Sequence, residues 1–161
     1  MIPCTIHYEF VQKFDVSAQR AFAWCTDYNP DDMELMHEEN ATREVLNVAD
    51  DVVVLIDTFA DDARKSSEKR KLVCLYPKRL MWTSTHLTGP NKDSQFLYEI
   101  TALNEGESQL KFTALSLDNK NRNKEDAEKE SRALRKMDAE TWKLLAKEME
   151  KLIVHLKPTQ T

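Results

Sequence analysis

The chain has 161 residues, 41% of them apolar, a formal charge of −5 and only two glycines, Gly89 and Gly106. That length and apolar share suit one folded domain with its own core, and 1–161 is read as a single domain. With so little glycine, neither G-x-G-x-x-G nor G-x-x-x-x-G-K-S/T can be written, which excludes Rossmann dinucleotide binding and P-loop hydrolysis; the acid excess argues against nucleic acid as a partner.

From Cys4 to Phe14, Ile6, Tyr8, Phe10 and Phe14 alternate with His7, Glu9 and Lys13. A period of two with one apolar side predicts a half-buried strand. Asp15 and Ser17 then offer helix N-caps, and Ala18, Ala21, Phe22 and Cys25 follow at helical spacing. Pro30 breaks that helix, and Asp31 or Asp32 caps a second short one through Met33, Leu35 and Met36. Beyond Asn40 the pattern predicts six strands over 42–48, 52–60, 65–76, 79–88, 94–103 and 108–117. They are joined by Ala49-Asp50-Asp51, Asp61-Asp62, Tyr76-Pro77-Lys78, Gly89-Pro90-Asn91 and Asn104-Glu105-Gly106. Links this short require antiparallel neighbours, because a parallel return needs a crossover of about a dozen residues. A charged stretch from Asp118 to Ser131 leads into a last helix, which its i,i+4 pairs Glu125–Lys129 and Glu128–Arg132 allow to begin early. Apolar positions 134, 137, 145, 149, 152 and 156 form its stripe, and Pro158 stops it.

Charge is distributed unevenly. Residues 1–50 hold three bases against ten acids, and residues 61–79 hold seven bases against three acids. The basic segment reads either as solvated strand faces and edges or as a patch that steers an anionic ligand or partner. Cys4, Cys25 and Cys74 are few, distant from one another and without a C-x-x-C pair, which fits a reducing cytosol, so a cytoplasmic location is expected. No segment reaches the roughly 18 apolar residues of a membrane span, so no stable membrane insertion is expected. The acidic run Asp27, Asp31, Asp32, Glu34, His37, Glu38 and Glu39 lacks the spacing and glycine of a calcium loop, and no metal site or cofactor is expected.

A helix about 10 Å wide cannot cover seven strands spaced about 4.8 Å apart unless the sheet curls around it. The expected fold is therefore α+β: a seven-stranded curved antiparallel sheet wrapped around a long C-terminal helix, with two short helices after strand 1. Such a grip leaves a concave apolar space between sheet and helix. This order resembles the START/Bet v 1-like helix-grip superfamily, also called SRPBCC, which includes polyketide cyclase/dehydrase and lipid-transfer domains. The segment from Phe10 to Phe22 is similar to that family's first strand running into its first helix, and Trp24 with Thr26-Asp27-Tyr28 resembles the aromatic and Asp that follow. The glycine-rich loop of the plant allergen branch is absent, Ala49-Asp50-Asp51 standing in its place. The resemblance implies binding of sterols, phospholipids, quinones or polyketides, cyclase activity, or action on protein partners. It carries no catalytic residue over by position.

Strand parity nominates the lining. Tyr8 and Phe10 face inward from the first strand, and Phe96 and Tyr98 from the strand over 94–103. Trp82, Ser84 and His86 face inward if Trp82, with the largest apolar area, sets the parity of 79–88. His86 is then either an acid/base inside the space or an exposed residue at a strand end. Arg70, sharing parity with Glu68, Leu72 and Cys74, either points inward as a partner for a carboxylate or phosphate or sits on a solvated strand end. Asp138 and Thr141 lie within about 40° of the helix stripe and mark a wet part of the cavity or an overhanging helix end.

Three functions follow as expectations. The first is binding or transport of a small hydrophobic or amphipathic ligand (lipid, quinone or polyketide-like), with Tyr8, Phe10, Arg70, Trp82, Ser84, His86, Phe96, Tyr98, Asp138 and Thr141 as candidate contacts. The second is a cyclase/dehydratase-type enzyme using the same cavity, with His86 as its acid/base. The third is a protein-interaction module using the basic segment 64–71 or the acidic run 27–39.

Overall fold

The computed structural model describes residues 4–35, 40–60, 66–118, 120 and 123–155. Outside them lie Met36, His37, Glu38 and Glu39, the turn Asp61-Asp62, the bases Arg64 and Lys65, and the chain from Leu156 onward with Pro158. The elements run β1 (Cys4–Phe14), α1 (Ala18–Cys25), α2 (Asp32–Leu35), β2 (Ala41–Ala49), β3 (Val52–Ala60), β4 (Ser66–Tyr76), β5 (Met81–His86), β6 (Gln95–Ala102), β7 (Ser108–Asp118) and α3 (Lys124–His155). One seven-stranded antiparallel sheet in the order β1-β7-β6-β5-β4-β3-β2 curves around α3. The two short helices follow β1, as the sequence predicts.

Alternation decides which face of β1 is buried. Ile6, Tyr8, Phe10 and Phe14 are each at most 6% exposed, while Thr5, His7, Glu9, Val11 and Lys13 between them face solvent. At its end the Ser17 hydroxyl accepts the backbone N–H of Arg20 at 3.4 Å and so caps α1, satisfying a donor that the first helical turn cannot use. The Ser108 hydroxyl donates to the Val16 carbonyl at 2.8 Å and ties this corner to β7.

β5 is shorter than the predicted 79–88. Pro77 cannot donate to a ladder and opens a 3-10 turn at Pro77–Arg79, after which Leu80 takes a left-handed φ of 50°. The strand begins only at Met81.

α3 starts ten residues before the first apolar position of its predicted stripe and spans 32 residues, about 48 Å at 1.5 Å per residue. The eleven residues of β1 reach only about 36 Å, so α3 is longer than the strand it runs along. The buried stripe is also rotated from the predicted one. Met137 and Leu152 are exposed at 55% and 45%, and the inward line runs through Leu134, Asp138, Trp142, Ala146, Met149 and Ile153. Trp142 sets that rotation: its ring lies 6.4 Å from Phe14, 6.5 Å from Trp82 and 5.8 Å from Tyr98. Along β1, the Ser131 hydroxyl and Arg135 Nε donate to the outward carbonyls of His7 and Glu9 at 3.0 and 2.8 Å.

Candidate functional site

Between α3 and the inner face of the sheet lies a cavity of about 350 Å³. Strand register builds its wall row by row. Trp82 stands opposite Tyr98, Tyr98 opposite Phe112, and Phe112 opposite Phe10. A second row runs Val53, Val73, Ser84, Phe96, Ala114 and Tyr8 across six strands. The indole of Trp82 stacks on Tyr98 with centroids 4.7 Å apart and planes 2° from parallel, and Phe22 meets its other side edge-on at 5.9 Å. From α3, Leu134, Met137, Trp142 and Leu145 complete the apolar lining.

Eight of the ten sequence-nominated contacts line this cavity: Tyr8, Trp82, Ser84, His86, Phe96, Tyr98, Asp138 and Thr141. Phe10 is buried but lies behind the cavity wall, stacked on Phe112 at 4.8 Å. Arg70 corrects the parity read for β4. Its side chain is 51% exposed, on the outer face, and its Nε donates to Glu68 at 2.6 Å. Val73, 1% exposed and facing Val53 and Ser84, fixes the inward parity of β4, so Lys69 and Lys71 turn inward with it. The basic segment thus sends two of its lysines to the cavity, not to an outer patch.

His86 is 6% exposed and not at an open strand end. It packs on Phe96 at 4.8 Å, and its Nδ1 is buried without a hydrogen-bond partner. Burial, with the nearby charges of Lys69 and Lys71, lowers its pKa to about 4, so the ring is neutral at pH 7. On the opposite wall the Tyr8 hydroxyl donates to Asp138 Oδ2 at 2.5 Å. Burial, then the bond and charge of Asp138, hold the Tyr8 phenol protonated far above neutral pH, and burial raises Asp138 against the lowering effect of that bond. Thr141 returns its hydroxyl to the Met137 carbonyl at 3.1 Å.

The ionic group in the cavity wall is what the sequence reading missed. Asp57, fully buried on β3, accepts two bonds from the Arg43 guanidinium at 2.7 and 3.0 Å and one from Lys71 Nζ at 2.7 Å. Arg43 also lies 3.6 Å from Asp32 at the start of α2. Burial alone would raise the Asp57 carboxyl, but the bonds from Arg43 and the charges of Arg43 and Lys71 outweigh it and hold it below the usual carboxylate range. Asp32, with burial and the charge of Asp27 against it, rises to about 6. One signal was available: Asp57 shares parity with Val53 and Leu55 on a strand whose inner positions are otherwise apolar, and an acid in that position requires a buried cation.

Cys4, Cys25 and Cys74 are unbridged. Among the described residues no group of three His, Cys, Asp or Glu side chains is arranged to hold a metal ion, and no helix is long and apolar enough to cross a membrane.

No family model matches the sequence, and no curated protein matches it by sequence. Solved structures do match the fold. The Zhui aromatase/cyclase from Streptomyces sp. R1128 superposes with a TM-score of 0.73 at 14% identity, covering 93% of this chain and 96% of its own. Norcoclaurine synthase from Thalictrum flavum, solved with dopamine and hydroxybenzaldehyde, gives 0.69 at 11% identity, covering 98% and 91%. Ara h 8.0201 gives 0.65 at 12% identity, covering 91% and 98%. With its curved seven-stranded sheet closed over one long helix, the chain has the helix-grip fold that these solved structures share.

Proposed function

We propose that the protein binds a small hydrophobic or amphipathic molecule in the cavity between the sheet and α3. The observation that carries this reading is the cavity itself. Its volume of about 350 Å³ falls in the range of small-molecule sites, and its lining of stacked aromatics with a few convergent polar groups has the composition of such sites. The fold neighbour solved with dopamine and hydroxybenzaldehyde supports small aromatic molecules as one class of occupant. Three unbridged cysteines support a cytosolic setting.

Titration with the uncharged fluorophore N-phenyl-1-naphthylamine tests the reading. Wild-type protein should bind it saturably. Leu134→Trp, which puts an indole into the cavity from α3, should weaken binding at least about tenfold while the melting temperature stays near wild type. Absence of saturable binding to the wild type, or full binding to the variant, would refute the site.

A second reading, cyclase- or dehydratase-type catalysis in the same space, is favoured by the partnerless Nδ1 of His86. The His86 ring lines the cavity and is neutral at pH 7, the form that can accept a proton from a bound polyketone. Cyclisation of a synthetic poly-β-ketone, followed by absorbance, should be lost in His86→Ala; equal turnover by that variant removes His86 from the chemistry.

A further inference from the structure

Arg43, Lys69 and Lys71 stand with Asp32, Asp57 and Asp138 around the cavity, but only two of the three cations are directly paired. Asp57 holds Arg43 and Lys71, and Asp32 lies against Arg43, so two cations face two carboxylates. Lys69 is left over. It lies across the β3–β4 ladder from Asp57, half-buried, yet makes no hydrogen bond or ion pair with any described residue. The Asp57 and Asp138 carboxylates act on it only through space, and Asp138 already accepts the Tyr8 hydroxyl.

The position of Lys69 is equally specific. A second cavity of about 400 Å³ lies at the end of the grip bounded by the β5–β6 turn and the first half of α3. Lys69, Asn91, Ser116 and Leu134 line both cavities. Their junction therefore presents an ammonium, a side-chain amide and a hydroxyl, with Glu68, Lys120 and Glu130 further out along the second cavity, while the inner end presents Trp82, Tyr98 and Trp142. Polar donors at a mouth and aromatic rings at the base match a molecule with one charged end.

We propose that the ligand is an amphipathic carboxylate, its anionic head seated at this junction against Lys69 and its apolar part directed toward Trp82, Tyr98 and Trp142. This rests on the cavity being a ligand site and adds the chemical class of the occupant. A half-buried ammonium with no hydrogen-bonded partner is unfavourable, and a bound carboxylate supplies the acceptors it lacks. Burial, with the charge of Lys71, already lowers the pKa of Lys69 in the empty cavity, so the anion meets an ammonium that gains from its arrival.

The test displaces N-phenyl-1-naphthylamine from the full chain at pH 7.5 with decanoate and with decan-1-ol, which differ only in the head group. Wild-type protein should release the reporter to decanoate at a concentration about tenfold lower than to decan-1-ol, the gain of one charge-assisted hydrogen bond. With each potency taken relative to that variant's own reporter affinity, Lys69→Met should bring decanoate to the level of decan-1-ol, and Lys69→Arg should restore the preference. The melting temperature of Lys69→Met should hold or rise, because an unpaired half-buried charge has been replaced by an apolar chain of similar length. Equal potency of acid and alcohol on the wild type, or a preference for the acid that survives Lys69→Met, overturns the head-group assignment and leaves the cavity reading standing. Failure of the reporter itself to bind overturns both.

Discussion

Asp57 shows how one side chain organises a wall made by several strands. Its carboxylate is fully enclosed, and its three short bonds to Arg43 and Lys71 hold β2 and β4 to β3 on the inner face. Such a cluster is a weak source of net stability but a costly one to break, because removing one partner strands the others in a poorly solvated place. Asp57→Asn should therefore lower unfolding free energy by about 3–5 kcal/mol in urea titration. Loss of under 1 kcal/mol would mean that water reaches the two cations freely. Lys71 and Lys69 illustrate the limit of parity reasoning from one strand. In β4, Leu72 and Cys74 on one side and Val73 and Leu75 on the other are nearly equal in apolar weight, so the sequence of that strand does not choose between faces. The choice comes from the neighbours Val53 and Ser84, and through them from the whole sheet.

At the scale of elements, α3 both covers the core and forms the cavity roof. Ala146 and Met149 pack tightly over the end of the sheet where α1 lies, whereas Leu134, Asp138 and Trp142 pass over the hollow. Trp142 joins the two regions by touching Phe14, Trp82 and Tyr98. Trp142→Ala should cost about 3 kcal/mol and enlarge the hollow enough to admit bulkier probes, measured by denaturation and reporter binding together. An unchanged stability would show that the indole packs loosely. Helix existence was legible from i,i+4 charge pairs and the Leu134-to-Met149 periodicity. Its rotation was not, because an aspartate and a tryptophan on the buried line carry no simple apolar signal. Strand ends were legible wherever a turn residue such as Asp50 or Gly106 interrupts the alternation; β5 began late because Pro77 and Leu80 redirect the backbone.

For the molecule as a whole, buried ionisable groups make stability depend on pH in opposing ways. His86 has an unfolded pKa near 6.5 and a folded value of about 4, so the native state rejects its proton. Its contribution is full above pH 6.5 and falls away as pH drops toward 4. Asp57, held low, contributes fully above about pH 4 and loses its contribution below that. Asp32 acts the other way: raised to about 6, it opposes folding when ionised and is relieved as pH falls from about 6 toward 4. Between pH 7 and 4.5, wild-type urea midpoints should therefore fall less than those of Asp32→Asn, while His86→Phe should remove most of the fall. Parallel pH curves for all three proteins would contradict these burial effects. The overall architecture was readable because short turns force antiparallel neighbours and a single helix forces a sheet to curl. The ionic wall was hidden because it joins Arg43, Asp57 and Lys71 on three strands whose register no local pattern reveals.

The hydrogen bonds that Ser131 and Arg135 make to the outer carbonyls of β1 have a consequence for self-association. A foreign strand arriving on that margin finds two acceptors already occupied and a helix in its way, whereas among the described residues no strand pairs beyond β2. Among the described residues the β1 border is guarded by α3 and the β2 border has no pairing strand. Backbone pairing between copies is therefore directed, among those residues, to the β2 border and away from β1.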